Sequence, residues 1–306
     1  MNGRNRFFVV VATLLAVTAP TVATAAPGNA PDDTTRKWVV SVGTSLSVGV
    51  QPDGAGGTTT TGDGYADQIV ELLATTTDDK VQVKKFGCPA ETTVRMVTGE
   101  GSACTYDHGS QLAEAAHWIA RHRKNIGLVT LDVGINDLAG CRGLLIDEND
   151  PEAFEACIAE GFTNVLTLTP QIVAALRAAA GPDVPIVAMD YYNALAAAYL
   201  LGQPELMDLS DQLVVTLNGA LHAIYGAFGV PVAPVAVAYN VADLTPVADP
   251  APLPPDTPLN VVTVCVLTHM CTAGDIHPNV TGYGIIAQAI VAVAPPLPVT
   301  EIPNNG

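Results

Sequence analysis

The sequence of 306 residues is poor in basic side chains, with 13 Lys and Arg against 30 Asp and Glu and a formal net charge of −17. Nucleic acids and anionic lipid surfaces attract basic proteins, so this composition argues against either as a partner. The chain also lacks internal repeats, long runs of one charge and any motif for a metal or a nucleotide. We therefore expect no cofactor, no metal and no nucleic-acid partner.

The N-terminal apolar run is too short to span a membrane comfortably. The most apolar N-terminal run, 7–16, follows Arg4 and Arg6 and precedes the small residues Ala23-Thr24-Ala25. A basic start, a short apolar stretch and small residues are typical of a secretory signal peptide, and the shortness of the run disfavours an uncleaved anchor. We expect residues 1–25 to be a signal peptide cleaved after Ala25. The mature chain, 26–306, is then a single secreted domain, which we expect to be a monomer without a stable membrane anchor.

The six cysteines lack the CxxC spacing that is typical of metal and redox motifs. They fall into three pairs of neighbours along the chain, although six cysteines allow 15 pairings. An exported protein is expected to carry disulfides rather than free thiols. We favour pairing of neighbours, because each bond would then close one loop between core elements. The expected bonds are Cys88–Cys104, Cys141–Cys157 and Cys265–Cys271.

Strand and helix patterns alternate along the chain, which predicts parallel βαβ units. After a first strand near Val42, apolar runs predict strands at 81–86, 128–133, 184–189 and 230–237, and helical spacing predicts helices at 65–74, 111–123, 162–179, 206–228 and 281–293. We predict a three-layer α/β/α domain with a parallel sheet of about five strands in the flavodoxin-like order 2-1-3-4-5. The Gly- and Thr-rich stretch 51–64 is predicted to be an irregular mobile loop, and the Pro-rich stretch 246–258 a surface excursion.

One serine lies where the first strand meets a tight turn. The segment 39–50 runs from β-branched residues into small ones, and Ser45 follows Gly43 there. The carboxyl edge of a strand is where open α/β sheets bind their ligands, so Ser45 is a candidate nucleophile. An ordinary strand-to-helix turn would look the same, because Ser and Gly are common turn residues.

Three further segments are placed to join Ser45 at the same edge. The 87–90 turn follows the second predicted strand, Asn136 follows the third, and His277 precedes the final helix. Each alone fits an ordinary turn or a structural residue. The pair Tyr191-Tyr192 follows the fourth strand, where it either lines an apolar cleft or packs in the core.

Taken together, these segments occur in the order and contexts of the GDSL or SGNH hydrolases, and the sequence resembles that family in four blocks over nearly the whole mature chain. The cysteine pairs and Tyr191-Tyr192 make it similar to secreted actinobacterial-type esterases and lipases with three disulfides. The resemblance implies the fold of that family, with Ser45 as nucleophile and His277 as general base. It also implies oxyanion donors from the backbone of Ser45 and Ala90 and from the side chain of Asn136.

Three positions depart from the family pattern. Thr44 stands where Gly-Asp-Ser-Leu has its acid, so a carboxylate beside Ser45 is missing. Ala90 stands at the oxyanion glycine, which a backbone donor tolerates provided that φ is not positive. Gly274 stands three residues before His277, where the family has Asp, and Asp275 lies only two before. The imidazole is therefore oriented either by Asp275 or by a backbone carbonyl.

The function that these residues predict is that of a secreted serine esterase or lipase. It would hydrolyse carboxylic esters through an acyl-enzyme on Ser45, with His277 taking up and returning the proton. The substrate would be a small-molecule, lipid or carbohydrate ester. The alternative is an exported binding or surface protein on an SGNH scaffold with little catalysis.

Overall fold

The computed structural model describes residues 36–74, 80–146 and 150–295, so the expected signal peptide lies outside the described residues. In chain order the strands are β1 (Arg36–Val42), β2 (Val50–Pro52), β3 (Thr58–Thr60), β4 (Lys80–Lys85), β5 (Ile126–Leu131), β6 (Ile186–Met189), β7 (Val232–Ala233), β8 (Pro246–Val247) and β9 (Thr257–Pro258).

The α-helices are α1 (Ser45–Val48), α2 (Tyr65–Ala74), α3 (Thr93–Thr98), α4 (Gln111–His122), α5 (Ile135–Ala139), α6 (Arg142–Ile146), α7 (Pro151–Ala180), α8 (Pro204–Ala227), α9 (Val235–Ala238), α10 (Leu259–Leu267), α11 (Met270–Ala273) and α12 (Val280–Val293). Two 3-10 helices cover Arg123–Asn125 and Ala194–Leu201. No helix within the described ranges is long and apolar enough to cross a membrane.

Five parallel strands form the central sheet in the order β4-β1-β5-β6-β7. Counted along the chain within this sheet, the order is 2-1-3-4-5, so the predicted topology is confirmed. Strand β5 lies at the centre and is buried along its whole length, which explains its run of apolar residues. Helices α2 and α12 contact each other and form one helical layer. Helix α7 contacts both α4 and α8, and these three helices form the other, so that the sheet is the middle one of three layers.

Two predicted element boundaries are wrong. Helix α7 begins at Pro151 rather than at residue 162, because the Asp150 side chain accepts the N–H of Ala153 and proline is well suited to the first helical turn. The predicted strand 230–237 shrinks to β7, because Pro234 has no N–H for the ladder and the chain then turns into α9.

The stretch 51–64 also differs from its prediction, since it contains a strand pair instead of lacking regular structure. Strands β2 and β3 pair antiparallel, with Val50 opposite Thr60. The side chain of Asp53 closes the turn by accepting the N–H groups of Ala55 and Gly57. The threonines of β3 are β-branched and so favour a strand, whereas the neighbouring glycines favour a loop, and the loop prediction rested on the glycines.

The three disulfides join the pairs expected from the sequence. Their Cα–Cα distances are 6.0 Å for Cys88–Cys104, 5.8 Å for Cys141–Cys157 and 5.0 Å for Cys265–Cys271. The first staples the segment after β4, the second ties the end of α5 to α7, and the third joins α10 to α11. All six cysteines lie in the described ranges and none is free.

Candidate active site

Ser45 is the first residue of α1, directly after the end of β1, and only 8% of it is exposed. Thr44 caps this short helix, with its hydroxyl accepting the N–H of Leu46 at 3.3 Å. The Gln111 side chain holds the preceding Gly43 on both sides, since its Oε1 accepts the Gly43 N–H at 2.8 Å and its Nε2 donates to the Gly43 carbonyl at 3.0 Å. The turn that carries Ser45 is therefore anchored by hydrogen bonds from α4.

His277 lies between α11 and α12, and its ring contacts a carboxylate. Asp275 Oδ1 lies 2.8 Å from His277 Nδ1 and also accepts the His277 backbone N–H at 2.9 Å. The carboxylate thus folds back onto the imidazole although it is only two residues upstream. Of the two orienting groups left open by the sequence, the structure has the carboxylate at Nδ1, which leaves Nε2 for another partner.

The backbone around His277 is held by groups from two other elements. The Tyr192 hydroxyl donates to the Ile276 carbonyl at 2.8 Å, and the His269 N–H donates to the His277 carbonyl at 3.0 Å. Tyr192 follows β6, while His269 lies between the two helices joined by the third disulfide. These contacts fix the loop against the sheet edge.

The segment after β4 packs closely against the serine turn. A Cβ at Gly87 would lie 1.6 Å from Ser47 Oγ and 2.8 Å from the Thr44 carbonyl, so only glycine fits there. Asn136, in α5, donates from Nδ2 to the Glu91 carbonyl at 3.0 Å. The next residue, Asp137, accepts the Thr93 N–H at 2.9 Å and its hydroxyl at 2.6 Å. The segment that follows β4 and the segment around Asn136 are therefore joined directly by hydrogen bonds.

Ala90 has a φ of 57°, in the left-handed region. Position 90 therefore has the positive φ that favours glycine over alanine. Ala90 is exposed and does not line the cleft described below. Within the described hydrogen bonds, neither its backbone N–H nor that of Ser45 has an acceptor.

Ser45, Asn136 and His277 line one apolar cleft with a free volume of about 140 Å³. Tyr191 and Tyr192 line it too and are buried, so they serve both as cleft wall and as core. The rest of the wall comes largely from the helices on either side, with Ile135 and Leu138 from α5, Phe154 and Ile158 from α7, and Leu206, Leu209 and Leu213 from α8.

The structure thus brings three of the predicted site residues to one cleft and leaves Ala90 and Asp275 outside its lining. Asp275 nevertheless reaches the site through the His277 ring. No hydrogen bond joins Ser45 to His277 in the part of the chain that the structure describes. Such bonds are often long without substrate and tighten only in the reacting complex.

Sequence reasoning missed Asp132, which lies at the carboxyl end of β5 and is completely buried. Its Oδ2 accepts the Thr44 N–H at 3.0 Å and the Thr44 hydroxyl at 2.5 Å, and its Oδ1 accepts the Tyr65 hydroxyl at 2.7 Å. The available signal was a lone acid between Leu131 and Val133 in an otherwise apolar run, because a buried charge needs partners.

Burial dominates the electrostatics behind the cleft. It raises the pKa of Asp132 to about 7, against the hydrogen bonds from Thr44 and Tyr65 that favour the carboxylate. Burial also raises the pKa of Glu91 despite a hydrogen bond from Ser102, and that of Asp137 despite those from Thr93. Across the described ranges, no group of three or more His, Cys, Asp or Glu side chains is arranged to hold a metal ion.

Doubly wound parallel sheets bind their ligands at the carboxyl edge, and Ser45 and His277 line one cleft there. Residues 41–285 match the model of the GDSL-like lipase/acylhydrolase family, and the chain belongs to that family. It is a carboxylic-ester hydrolase of the GDSL type. No curated protein sequence matches the chain significantly.

Several solved structures are similar to this chain at low sequence identity. The lipase Lip_vut3 from a goat rumen metagenome is 14% identical with a TM-score of 0.53, covering 84% of this chain and 96% of that one. An extracellular lipase from Streptomyces rimosus is 14% identical with a TM-score of 0.49, covering 83% and 99%. A phospholipase A1 from Streptomyces albidoflavus is 17% identical with a TM-score of 0.47, covering 84% and 98%. At such identities the first of these likenesses supports the fold alone.

Proposed function

We propose that this protein is a secreted serine esterase that hydrolyses carboxylic esters through an acyl-enzyme on Ser45. The observation that carries the proposal is the pairing of the His277 ring with Asp275 at 2.8 Å on a loop whose histidine shares an apolar cleft with Ser45. A carboxylate at Nδ1 selects the tautomer whose Nε2 accepts a proton, and it stabilises the imidazolium that forms.

In the first half-reaction, His277 Nε2 takes the proton of Ser45 Oγ as that oxygen attacks the ester carbonyl carbon. The tetrahedral intermediate carries its negative charge on the former carbonyl oxygen. The backbone N–H groups of Ser45 and Ala90 and the Asn136 amide are the proposed donors to it, each worth roughly 3 to 4 kcal/mol by analogy with oxyanion-hole deletions. His277 then gives its proton to the departing alcohol as the ester C–O bond breaks. Water next attacks the acyl carbon while His277 takes its proton, the bond from that carbon to Ser45 Oγ breaks, and His277 returns the proton to Ser45 Oγ as the carboxylic acid leaves.

The acyl group is proposed to occupy the apolar cleft. Its walls from α5, α7 and α8 are mostly leucine, isoleucine and phenylalanine, which favour a hydrocarbon chain over a charged or sugar-like group. This supports esterase chemistry over the alternative of a binding protein, since Ser45, Asn136 and His277 line the same cleft.

Three substitutions test the mechanism. Ser45→Ala and His277→Ala are expected to abolish hydrolysis of p-nitrophenyl butyrate and labelling by a fluorophosphonate. Asp275→Asn should lower kcat by about 10³- to 10⁴-fold if the carboxylate orients the base. A loss below about tenfold, roughly 1.4 kcal/mol of barrier, would instead indicate a Ser–His dyad.

His222 provides the matched control. Its Nε2 lies 3.0 Å from Asp190 Oδ2, so it is a second His–Asp pair, and it does not line the cleft. His222→Ala should therefore keep the wild-type kcat. Retained activity in Ser45→Ala would overturn the assignment of the nucleophile and favour the binding-protein alternative.

Secretion is tested separately from catalysis. The full-length gene product expressed in a secreting bacterial host should appear in the medium with its N-terminus at Ala26. A protein retained in the cell with Met1 intact would contradict the proposed signal peptide.

A further inference from the structure

The acid that the family has beside its nucleophilic serine is replaced by Thr44 in this chain. The structure brings another carboxylate to that residue from a neighbouring strand, since Asp132 at the end of β5 accepts both the N–H and the hydroxyl of Thr44. The two residues are 88 positions apart in the chain.

These hydrogen bonds reach the serine turn in two ways. The bond from the Thr44 N–H to Asp132 holds the peptide group between Gly43 and Thr44. The bond from the Thr44 hydroxyl to Asp132 orients that hydroxyl, because its hydrogen then points at the carboxylate and its lone pairs point away from it. The hydroxyl oxygen can therefore accept the N–H of Leu46, the residue that follows Ser45. The packing is close enough that a Cβ at Gly43 would lie 2.1 Å from Asp132 Oδ1.

We propose that Asp132 is a positioning residue for the nucleophile, which holds the Ser45 turn from β5 through its two hydrogen bonds to Thr44. The proposal rests on Ser45 being the nucleophile. Asp132 does not line the cleft, so it acts through Thr44 rather than on substrate.

The clamp requires an acceptor rather than a charge. If Asp132 is protonated on Oδ1, that oxygen donates to the Tyr65 hydroxyl, which then donates to Ser41 Oγ at 3.2 Å or Thr130 Oγ1 at 3.4 Å. Oδ2 still accepts both groups of Thr44. An asparagine can do the same, with its oxygen facing Thr44 and its amide donating to Tyr65.

Paired substitutions at both ends of the clamp test this role. Asp132→Ala and Thr44→Val remove it, whereas Asp132→Asn and Thr44→Ser retain the needed atoms. We expect the first pair to lower kcat for p-nitrophenyl butyrate by about 10- to 100-fold, since small misplacements of reacting groups cost that much. KM should change little, and the second pair should keep kcat within about threefold of wild type, well inside that loss.

The control is Val129→Ala, which truncates another completely buried residue of β5. It should lower the midpoint of urea unfolding yet keep the wild-type kcat per folded molecule, with the folded fraction measured by near-ultraviolet circular dichroism. The double variant Asp132→Ala with Thr44→Val should have a kcat no lower than that of the less active single variant, because both substitutions break the same hydrogen-bonded unit.

Three results would overturn the proposal: a wild-type kcat in Asp132→Ala, an Asp132→Asn variant as impaired as Asp132→Ala, or a Val129→Ala variant that loses kcat to the same extent. Full activity in Ser45→Ala would instead overturn the proposed nucleophile. The two failures are therefore distinguishable.

Discussion

At the scale of single residues, Ala90 carries a conformational cost that glycine would avoid. Its φ of 57° places Cβ near the following carbonyl, which costs a non-glycine residue roughly 1 to 2 kcal/mol. Glycine in turn costs about 0.5 to 1 kcal/mol in conformational entropy on folding. The difference is small but favours glycine.

We expect Ala90→Gly to raise the free energy of unfolding by up to about 1 kcal/mol, measured by urea denaturation. Esterase activity should be unchanged, because the backbone N–H remains. Ala174→Gly, at an exposed position inside α7, is the matched control and should lower the same quantity by about 1 kcal/mol. Equal destabilisation by both changes would contradict the left-handed conformation at Ala90.

Asp132 predicts a pH dependence of stability at the same scale. Its pKa is raised from 3.8 to about 7 in the folded protein, so between these values the folded state holds a proton that the unfolded state has lost. Stability from this group is therefore greatest at low pH and falls as pH rises, by at most about 1.4 kcal/mol per pH unit. The titratable groups that face it are tyrosines, and burial raises their pKa values too. Tyr65 donates a hydrogen bond to Asp132, and the Asp132 charge also disfavours ionisation of Tyr191, Tyr192, Tyr225 and Tyr283.

Asp132→Asn should remove this dependence. We expect the difference in the free energy of unfolding, variant minus wild type, to increase from pH 4.5 to about pH 7 in urea titrations and to level off above it. A constant difference across this range would mean that Asp132 titrates at its ordinary pKa in the fold.

At the scale of elements, helix α8 forms one wall of the cleft. Leu206, Leu209 and Leu213 recur at helical spacing and are each half-buried, as expected for a face that borders an open cleft. A free volume of about 140 Å³ is close to that of engineered cavities of ~150 Å³ that hold benzene. An acyl group of about six carbons would therefore fill the cleft.

The predicted optimum is tested with p-nitrophenyl esters from acetate to laurate, where kcat/KM should peak near hexanoate. Leu209→Trp should shift the peak towards acetate and lower kcat/KM for hexanoate by about tenfold or more, since each excluded methylene is worth roughly 1 to 3 kcal/mol. Leu166→Trp, on the exposed face of α7, is the control and should leave the profile unchanged. An identical profile in both variants would place the acyl group outside this cleft.

At the scale of the whole molecule, the three disulfides each close a short loop. The separations are 16, 16 and 6 residues, and a loop of about 15 residues is worth roughly 3 kcal/mol on the chain-entropy model. The third bond joins the two helices that flank His269, which in turn donates to the His277 carbonyl. Reduction should therefore lower the stability of the protein and also loosen the loop that carries His277.

Thiol titration of the unfolded protein should find no free cysteine before reduction and six after it. Reduction should lower Tm by on the order of 10 °C or more, because the loops lose their cross-links. Two or more titratable thiols in fresh, unreduced protein would contradict the pairing.

Much of the fold followed from patterns along the chain. The buried run of β5 and the spacing of α2 are local features, so their positions and the parallel sheet could be predicted. Boundaries that depended on one residue were harder, as at Pro151 and Pro234, where a cap or a missing N–H outweighs the hydrophobic pattern. The β2–β3 pair was missed because its stability comes from pairing between two segments that are each too short to show a period.

The sequence by itself determined the alternation of strands and helices, the family blocks around Ser45, Asn136 and His277, and the cysteine pairs that close short loops. These depend on periodicity, motif spacing and nearness along the chain. Only the tertiary structure decided that the Asp275 carboxylate folds back onto His277, that Ala90 is left-handed, and that Asp132 reaches Thr44 across the sheet. The physical reason is that these outcomes depend on backbone conformation and on hydrogen bonds between buried groups far apart in the chain, which no local pattern encodes.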